Sequence, residues 1–205
     1  MRALYIGAHP DDVEIGCSGT ILKRKGENEA HYATFSLCEK HSGLSFTADE
    51  LEDDLMRATA KMGIKKGQVH IYDFENTRFR KHADAIRETL EELRDEINPE
   101  RIYVHSVRDM HQDHQTLAEE TVRAFRLREI QFYEVTTTTQ GSFTPNLYVD
   151  ISDQLKGKTD VLECYWTQRP RAFFKKEYWR SRAVFRGIAC GVQAAEAFEL
   201  VWRLE

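Results

Sequence analysis

Two short polar segments contain residue types that bind metal ions and transfer protons. Residues 8–12 read AHPDD, and residues 111–114 read HQDH. Imidazole and carboxylate groups are normal ligands of Zn²⁺, and a catalytic zinc site typically combines three protein ligands with an open position for water. Two histidines and one carboxylate meet this requirement, and such a set also admits ferrous iron. The two segments together therefore predict a metal-dependent hydrolytic site.

Three of these side chains are predicted to bind the metal ion. His9 and Asp12 are three residues apart, so both can reach one ion, and His114 of the second segment supplies the third ligand. Asp11 then remains free to take a proton from the attacking water, which makes it the candidate general base.

His111 and Asp113 are predicted to act beside the metal. An imidazole oriented by a neighbouring carboxylate can donate to a developing oxyanion or to a leaving amine. Taken alone, an Asp-Asp pair is most often a turn or a helix cap, and a single histidine usually titrates in solvent. The chemical interpretation is favoured because both segments follow predicted strands.

Alternating strand and helix patterns predict the fold that must bring the two segments together. Apolar, β-rich runs predict strands at residues 3–7, 30–37, 69–74, 101–107 and 130–136. Among the helices, one begins at a capping box of Thr47 and Glu50 and ends near Gly63, and others cover residues 83–97 and 117–126. Parallel neighbouring strands need such crossover connections. The pattern predicts a doubly wound, Rossmann-like α/β fold with a mainly parallel sheet.

The expected strand order 3-2-1-4-5 places the two polar segments at the same crevice. The first segment follows strand 1 and the second follows strand 4, and open α/β sheets bind ligands where the strand order reverses. Beyond strand 5, the sequence predicts a strand at residues 146–151 and helices at residues 152–166 and 176–191. These elements are expected to pack on the same domain, so residues 1–205 are predicted to form a single domain.

Composition narrows the class of protein. The 205 residues contain 29 Lys and Arg against 34 Asp and Glu, a formal net charge of −5. This balance argues against a general nucleic-acid binder, which relies on clustered cations. No apolar run has the length of a transmembrane helix, and the four widely spaced cysteines are typical of reduced thiols. We therefore expect a cytoplasmic enzyme that acts on a small molecule, and homo-oligomerisation is left open.

The sequence resembles the zinc-dependent de-N-acetylases of the LmbE and PIG-L type, which hydrolyse the acetamide of N-acetylglucosamine-containing substrates. The resemblance is carried by AHPDDVEIGCSGTI at residues 8–21 and HQDH at residues 111–114, with weaker matches at residues 62–64, 145–152 and 195–198. It implies that this chain releases acetate and a free amine from an N-acetylglucosamine-type sugar. That sugar would be a glycoside, a nucleotide sugar or a lipid-linked sugar.

Carried over residue by residue, the resemblance implies the roles that the side-chain chemistry predicts. These are His9, Asp12 and His114 as zinc ligands, Asp11 as general base, and protonated His111, oriented by Asp113, as the group that stabilises the tetrahedral intermediate. Glu14 is expected to form hydrogen bonds behind the ligands. Relatives that act on thiol-cofactor precursors tend to have Arg where this chain has Leu51 and Tyr where it has Ala194. The resemblance therefore does not identify the substrate.

Other residues at the same edge of the sheet are candidates for substrate contact. Arg108 precedes the second segment and would hold a sugar hydroxyl or a phosphate, or else form a surface ion pair. Arg78 follows the third strand. A basic stretch at residues 169–186 would favour an anionic substrate if it borders the pocket, and is otherwise a solvated helix face. His105, on the fourth strand, would either support the site from beneath or be an ordinary strand histidine, and the second interpretation is favoured.

Two non-catalytic alternatives are weighed against this enzyme. A nucleotide-binding α/β protein would carry a glycine-rich phosphate loop after the first strand, where this chain has carboxylates that repel a pyrophosphate. A metal-binding relative without catalytic activity would keep the ligands but not the chemistry. The complete set of site residues favours the enzyme.

Overall fold

The computed structural model describes residues 1–38, 46–139 and 141–203. Within these residues the strands, numbered along the chain, are β1 (Arg2–Gly7), β2 (Glu29–Thr34), β3 (Val69–Ile71), β4 (Arg101–His105), β5 (Glu129–Tyr133), β6 (Leu147–Asp150) and β7 (Ala195–Trp202). The helices are α1 (Asp12–Lys23), α2 (Ala48–Met62), α3 (Ala83–Ile97), α4 (Gln112–Ala124), α5 (Leu155–Leu162) and α6 (Lys176–Cys190). The seven strands form one sheet in the order β3-β2-β1-β4-β5-β7-β6.

Strands β1 to β5 confirm the predicted parallel order 3-2-1-4-5. In β1, Tyr5 lies opposite Tyr32 of β2 on one side and opposite Tyr103 of β4 on the other. The chain first builds the sheet outward from β1 through β2 to β3, and then crosses over to β4 on the other side of β1. The strand order therefore reverses between β1 and β4, and both polar segments follow these two strands.

The far edge of the sheet contains a strand that the sequence pattern does not predict. β6 confirms the strand predicted at residues 146–151, but β7 lies between β5 and β6 and runs antiparallel to both. The first five residues of β7 are all buried. A strand covered on both faces lacks the alternation of apolar and polar residues that marks a half-buried strand.

Apolar layers on both faces hold the sheet rigid beneath the two segments. In β1, Ala3 and Tyr5 belong to the layer that contains α1, α2, α5 and α6, whereas Leu4 and Ile6 belong to the layer that contains α3 and α4. All four side chains are fully buried. Successive side chains of a strand point to opposite faces, so each residue of β1 packs against one of the two helical layers.

Helix boundaries agree with prediction for α2 and differ most for α4. The capping box of Thr47 and Glu50 opens α2, and Gly63 ends it with a φ of 85°. Helix α4 begins at Gln112 and not near residue 117, while α5 is shorter than the helix predicted at residues 152–166. None of the helices in the described residues is both long and apolar enough to cross a membrane.

Candidate active site

A cavity of about 250 Å³ lies where the chain leaves β1 and β4. Five predicted site residues line it, namely His9, Asp11, Asp12, His111 and His114. A sixth, Asp113, is fully buried and contacts His9. The structure therefore brings the two segments together at the switch point, as the strand order predicts.

The first turn of α1 positions the two aspartates. Asp11 has a left-handed backbone conformation with a φ of 90° and precedes Asp12, the first residue of the helix. Aspartate and asparagine tolerate this conformation better than most residues other than glycine. The carboxylate of Asp12 accepts a hydrogen bond of 2.8 Å from the backbone N–H of His9, which closes the turn between them.

The first turn of α4 positions the second segment. The Nδ1 atom of His111 accepts a hydrogen bond of 3.2 Å from the backbone N–H of Asp113, so His111 caps the helix. Histidine is not among the usual capping residues, and the sequence pattern therefore predicts the start of this helix too late. As a result, Asp113 and His114 lie in a helical turn and not in the loop that was expected.

The Asp12 carboxylate lies at the centre of three imidazoles. Its Oδ2 atom is 3.4 Å from each of His9 Nδ1, His105 Nε2 and His114 Nε2. Burial raises the pKa of Asp12, but His114 and His105 lower it well below its usual range, so the carboxylate is ionised. Two sets of three residues in the described chain could hold a metal ion: His9, His111 and His114, or Asp12, His105 and His114.

Two fully buried carboxylates orient two of these histidines. Asp113 Oδ2 lies 3.2 Å from His9 Nε2, and Asp109 Oδ2 lies 3.0 Å from His114 Nδ1. An ionised carboxylate only accepts hydrogen bonds, so these ring nitrogens carry protons, and His9 Nδ1 and His114 Nε2 face Asp12. Asp109 is a site residue that the sequence analysis missed, although it lies only two residues before His111.

The predicted role of Asp113, which was to orient His111, is not what the structure has. The Asp113 carboxylate contacts His9 and accepts hydrogen bonds from the backbone N–H groups of Thr77 (2.6 Å) and Phe79 (3.2 Å). The His111 ring instead accepts its hydrogen bond from the backbone N–H of Asp113. The loop after β3 supplies the two N–H donors, and sequence spacing does not show that this loop lies next to Asp113.

His111 is neutral in the structure, whereas its protonation in the tetrahedral intermediate stays a prediction. Its burial, together with the nearby His114 and His9, lowers the pKa of His111 to about 4. Because Nδ1 accepts the backbone hydrogen bond, the ring proton is on Nε2. The imidazole can therefore donate a hydrogen bond into the cavity without being charged.

His105 supports the site from beneath, and is not the ordinary strand histidine that the sequence suggests. It is fully buried, and its ring stacks on that of His114 with centroids 3.8 Å apart. Its Nε2 atom accepts a hydrogen bond of 3.0 Å from the backbone N–H of Ala8 and lies 3.2 Å from the Tyr133 hydroxyl. Burial and the neighbouring His114 lower the pKa of His105 to about 4, so this ring is also neutral.

Replacing Gly16 with alanine is expected to lower the free energy of unfolding. A Cβ atom at this position would lie 2.3 Å from Cδ2 of Tyr133, whose hydroxyl contacts His105, so the tyrosine ring would have to move. Such overpacking typically costs about 1–3 kcal/mol. Gly67→Ala is the control, because an added Cβ there has no atom within 4 Å. Urea unfolding measures both variants, and equal stability of the two would contradict the prediction.

Asp11 has the electrostatics of a proton acceptor. Burial and the charge of Asp12 raise the pKa of its carboxyl group well above the usual range, and Arg171 opposes this effect. A carboxylate with a raised pKa is a stronger base. Among the described residues, none donates a hydrogen bond to the Asp11 carboxylate, so its oxygens are free to accept a proton.

Glu14 is fully buried but does not contact the predicted ligands. Its carboxylate accepts hydrogen bonds from the hydroxyls of Tyr32 (3.1 Å) and Tyr165 (2.9 Å), and burial raises its pKa to about 7. Glu14 therefore ties α1 to β2 and to the segment that follows α5.

Neither predicted substrate contact lines the cavity. Arg78 is exposed, and Arg108 forms an ion pair with Glu199, which was the alternative considered for it. The loop that contains Arg78 still contributes Asn76, whose Oδ1 accepts a hydrogen bond of 3.0 Å from His9 Nε2. The sequence therefore predicted that this loop reaches the site, but it indicated Arg78 and not Asn76.

The structure also locates the two positions at which this chain differs from relatives that act on thiol-cofactor precursors. Leu51 lines the cavity, whereas Ala194 is fully buried outside it. Within the basic stretch at residues 169–186, Arg171 lines the cavity, whereas Arg182 and Arg186 pair with Glu134. Most of that stretch is therefore not part of the site.

The comparison with protein families identifies the chain. Residues 4–125 match the family model described as PIG-L, GlcNAc-PI de-N-acetylase. This span is more than half of the 205 residues and includes the cavity-lining residues from His9 to His114. The chain belongs to the PIG-L family. Gln168 and Arg171, which form part of the cavity wall, lie beyond the matched span.

The proteins that this chain resembles include deacetylases and a hydratase. The uncharacterized deacetylase YaiS of Escherichia coli K12 is 28% identical over 157 residues, which are 74% of this chain and 82% of YaiS. N,N'-diacetylchitobiose deacetylase from Pyrococcus horikoshii superposes with a TM-score of 0.79 at 22% identity, over 98% of this chain and 83% of that chain. GalB, the 4-carboxy-2-hydroxymuconate hydratase of Pseudomonas putida KT2440, gives 0.84 at 19% identity, over 100% of this chain and 97% of that chain. The two structural likenesses show the shared fold.

Proposed function

We propose that this PIG-L family protein is a metal-dependent deacetylase that hydrolyses the acetamide of an N-acetylglucosamine-type amino sugar, releasing acetate and a free amine. The observation that carries the proposal is the position of Asp12 Oδ2, 3.4 Å from both His9 Nδ1 and His114 Nε2. Two ligands about 2.0–2.1 Å from a tetrahedral zinc ion are separated by about 3.3–3.4 Å. These two distances support Asp12 as a ligand shared with His9 and His114, a set that combines members of both groups of three residues given above.

Hydrogen bonds favour this ligand set over the one that includes His105. The Nε2 lone pair of His105 accepts the Ala8 N–H, so it is not available to an ion. His9 and His114 instead each direct one ring nitrogen at Asp12 and donate from the other to a carboxylate, as metal-binding histidines do. Zn²⁺ is the metal we propose, and Fe²⁺ fits the same donors.

Neighbouring carboxylates stabilise positive charge on the two histidines of the proposed ligand set. Burial lowers the pKa of His114, but Asp12 and the hydrogen bond to Asp109 raise it to about 9. Hydrogen bonds to Asp113 and Asp12 likewise raise the pKa of His9 well above its usual range. The carboxylates that favour a proton on these rings would equally favour a metal cation, whose binding displaces such protons.

The proposed mechanism assigns the proton transfers to residues of this chain. When bound, the metal ion polarises the acetamide carbonyl and lowers the pKa of water at the site. Asp11 accepts the proton of the attacking water and can pass it to the leaving amine. The Nε2–H of neutral His111 donates a hydrogen bond to the oxygen of the tetrahedral centre.

Acetate release by the zinc-loaded protein tests the function. The panel contains N-acetylglucosamine in free, glycosidic, nucleotide-linked and lipid-linked forms, with the Asp11→Asn variant as control. Release that the variant lacks supports the proposal. If no member releases acetate while the metal is bound, the protein is a non-catalytic metal-binding relative or catalyses another reaction of this fold, and the proposal fails.

Replacing Asp109 with asparagine is expected to weaken metal binding by roughly 10- to 100-fold, as loss of a carboxylate that orients a metal-binding histidine typically does. The variant loses the negative charge of Asp109, whose Oδ2 lies 3.0 Å from His114 Nδ1 and orients that ring. Asp84→Asn, an exposed aspartate of α3, is the control. Competition with a chelator gives the affinity, and unchanged binding in Asp109→Asn would argue against His114 as a ligand.

A further inference from the structure

A second cavity, of about 40 Å³, lies between α1, α6 and β7. Ile15 lines both this cavity and the active-site cavity, so the two are neighbours. After β5, Val135 lines the active-site cavity, and the next residue, Thr136, lines the second one. A molecule in the second cavity would therefore lie close to the site of the proposed hydrolysis without occupying it.

Two buried nitrogen donors at the second cavity lack an acceptor. Trp179 is 5% exposed, Arg182 is partly buried, and both side chains line the cavity. Among the described residues, neither Nε1 of Trp179 nor Nε of Arg182 has a hydrogen-bond partner. The indole nitrogen can only donate. A buried donor without an acceptor costs free energy, which an oxygen atom of a ligand would recover.

Cations outnumber carboxylates in the lining of the second cavity. Glu134 accepts a hydrogen bond of 2.8 Å from each of Arg182 and Arg186, while Lys158 pairs with Glu196. The charged side chains of the described lining are thus three cations and two carboxylates. Because two guanidinium groups share one carboxylate, the arrangement retains positive charge and N–H donors for a second anion.

The size and the apolar part of the second cavity limit the ligand to a small molecule. A cavity needs roughly 10–15 Å³ to hold one water molecule, so about 40 Å³ admits a molecule of a few non-hydrogen atoms and excludes a sugar. Ala183, Ala195, Ala197 and Ile15 supply aliphatic surface. A ligand that combines a methyl group with anionic oxygens matches this surface and the two donors.

We propose that the second cavity binds a small carboxylate such as acetate, whose oxygens accept hydrogen bonds from Trp179 Nε1 and Arg182 Nε. Acetate would come from the medium or, if the proposed function is correct, from hydrolysis in the neighbouring cavity. Binding itself does not depend on that function. Trp179 and Arg182 are binding residues of this second site and take no part in the hydrolysis.

The indole N–H resonances of the ¹⁵N-labelled, zinc-loaded protein test the proposal. The chain has three tryptophans, and the spectrum of Trp179→Phe identifies the resonance of Trp179. Acetate is expected to shift this resonance in a saturable manner, because the N–H gains a charged acceptor. Acetamide has nearly the same shape but no charge, and should bind at least about tenfold more weakly. No saturable shift with acetate, or equal affinities for the two compounds, would overturn the proposal.

Replacing Arg182 with glutamine separates the second cavity from other places where acetate binds. The variant loses one donor and its charge, while Glu134 keeps its pair with Arg186. The acetate affinity read from the Trp179 resonance should fall by roughly 10- to 100-fold. Arg180→Gln is the matched control, because Arg180 is an exposed arginine of the same helix that does not line the cavity. Wild-type affinity in Arg182→Gln would mean that acetate acts from elsewhere, such as the metal ion, and would reject the site.

The source of the acetate distinguishes this proposal from the proposed function. The same resonance is followed during incubation with the N-acetylglucosamine compounds. If added acetate shifts it but no compound yields acetate, the carboxylate site is supported and only the proposed function fails. If acetate is released but neither released nor added acetate shifts the resonance, the proposed function is supported and the carboxylate site is rejected.

Discussion

Replacing Asp11 with asparagine is expected to lower kcat for acetate release by roughly 10²- to 10⁴-fold, the usual contribution of a general base. Asparagine cannot accept the proton of the attacking water, but it tolerates the left-handed conformation at this position, with its φ of 90°. The fold and the metal content should therefore be unchanged. The measurement pairs acetate assays with elemental analysis of the same protein sample.

The exposed Asp73→Asn provides the matched control, because it removes the same charge outside the cavity. Its activity should equal that of the wild type. Asp11 would be removed from the mechanism if Asp11→Asn retained wild-type activity. If the variant lost its metal, the ligand set would have to include Asp11.

Replacing Lys158 with methionine is expected to lower the free energy of unfolding by about 3–5 kcal/mol, since it leaves an unpaired carboxylate in the interior. Lys158 is 4% exposed, and its Nζ donates to Glu196 Oε1 (2.6 Å) and to the backbone carbonyl of Ile15 (2.6 Å). Glu196 in turn accepts hydrogen bonds from the N–H groups of Gly19 (2.8 Å) and Thr20 (2.7 Å). The pair therefore joins α5 and β7 to α1, whose first turn positions the two aspartates.

The neighbouring variant Lys156→Met is the control, because it also removes a paired lysine but does so at the surface. Lys156 pairs with Asp160 on the surface and its side chain is 84% exposed, so its loss should lower the free energy of unfolding far less than the loss of Lys158. Adding Glu196→Gln to Lys158→Met removes the uncompensated charge and should restore part of the stability. Denaturant unfolding of all three variants provides the comparison. Equal losses for Lys158→Met and Lys156→Met would show that the buried pair contributes no more than a surface pair.

Sequence alone predicted the features that depend on local order along the chain. The alternation of strands and helices gave the parallel order of β1 to β5, and this order brought residues 8–12 and 111–114 to one crevice. The chemistry of imidazole and carboxylate groups then indicated a metal site. The predictions of strand order and of the shared crevice succeed because a strand and the residues that follow it stay together whatever the rest of the chain does, while the metal site stays a prediction.

Tertiary contacts decided which partner each polar group has. The Asp113 carboxylate contacts His9, 104 residues away in sequence, and not its neighbour His111. His105 became part of the site because the backbone N–H of Ala8, directly after β1 and 97 residues earlier, donates to it. Hydrogen-bond partners so distant along the chain depend on the packing of whole elements, which local spacing does not encode.

The C-terminal part of the chain also has features that local sequence patterns do not predict. Strand β7 has no alternating pattern because both of its faces are covered, so only its pairing with β5 and β6 reveals it. Within the basic stretch, Arg171 lines the cavity while Arg186 pairs with Glu134. In the sequence these arginines look equivalent, and the fold alone assigns one to the site and the other to an ion pair, because exposure and partners are properties of the packed structure.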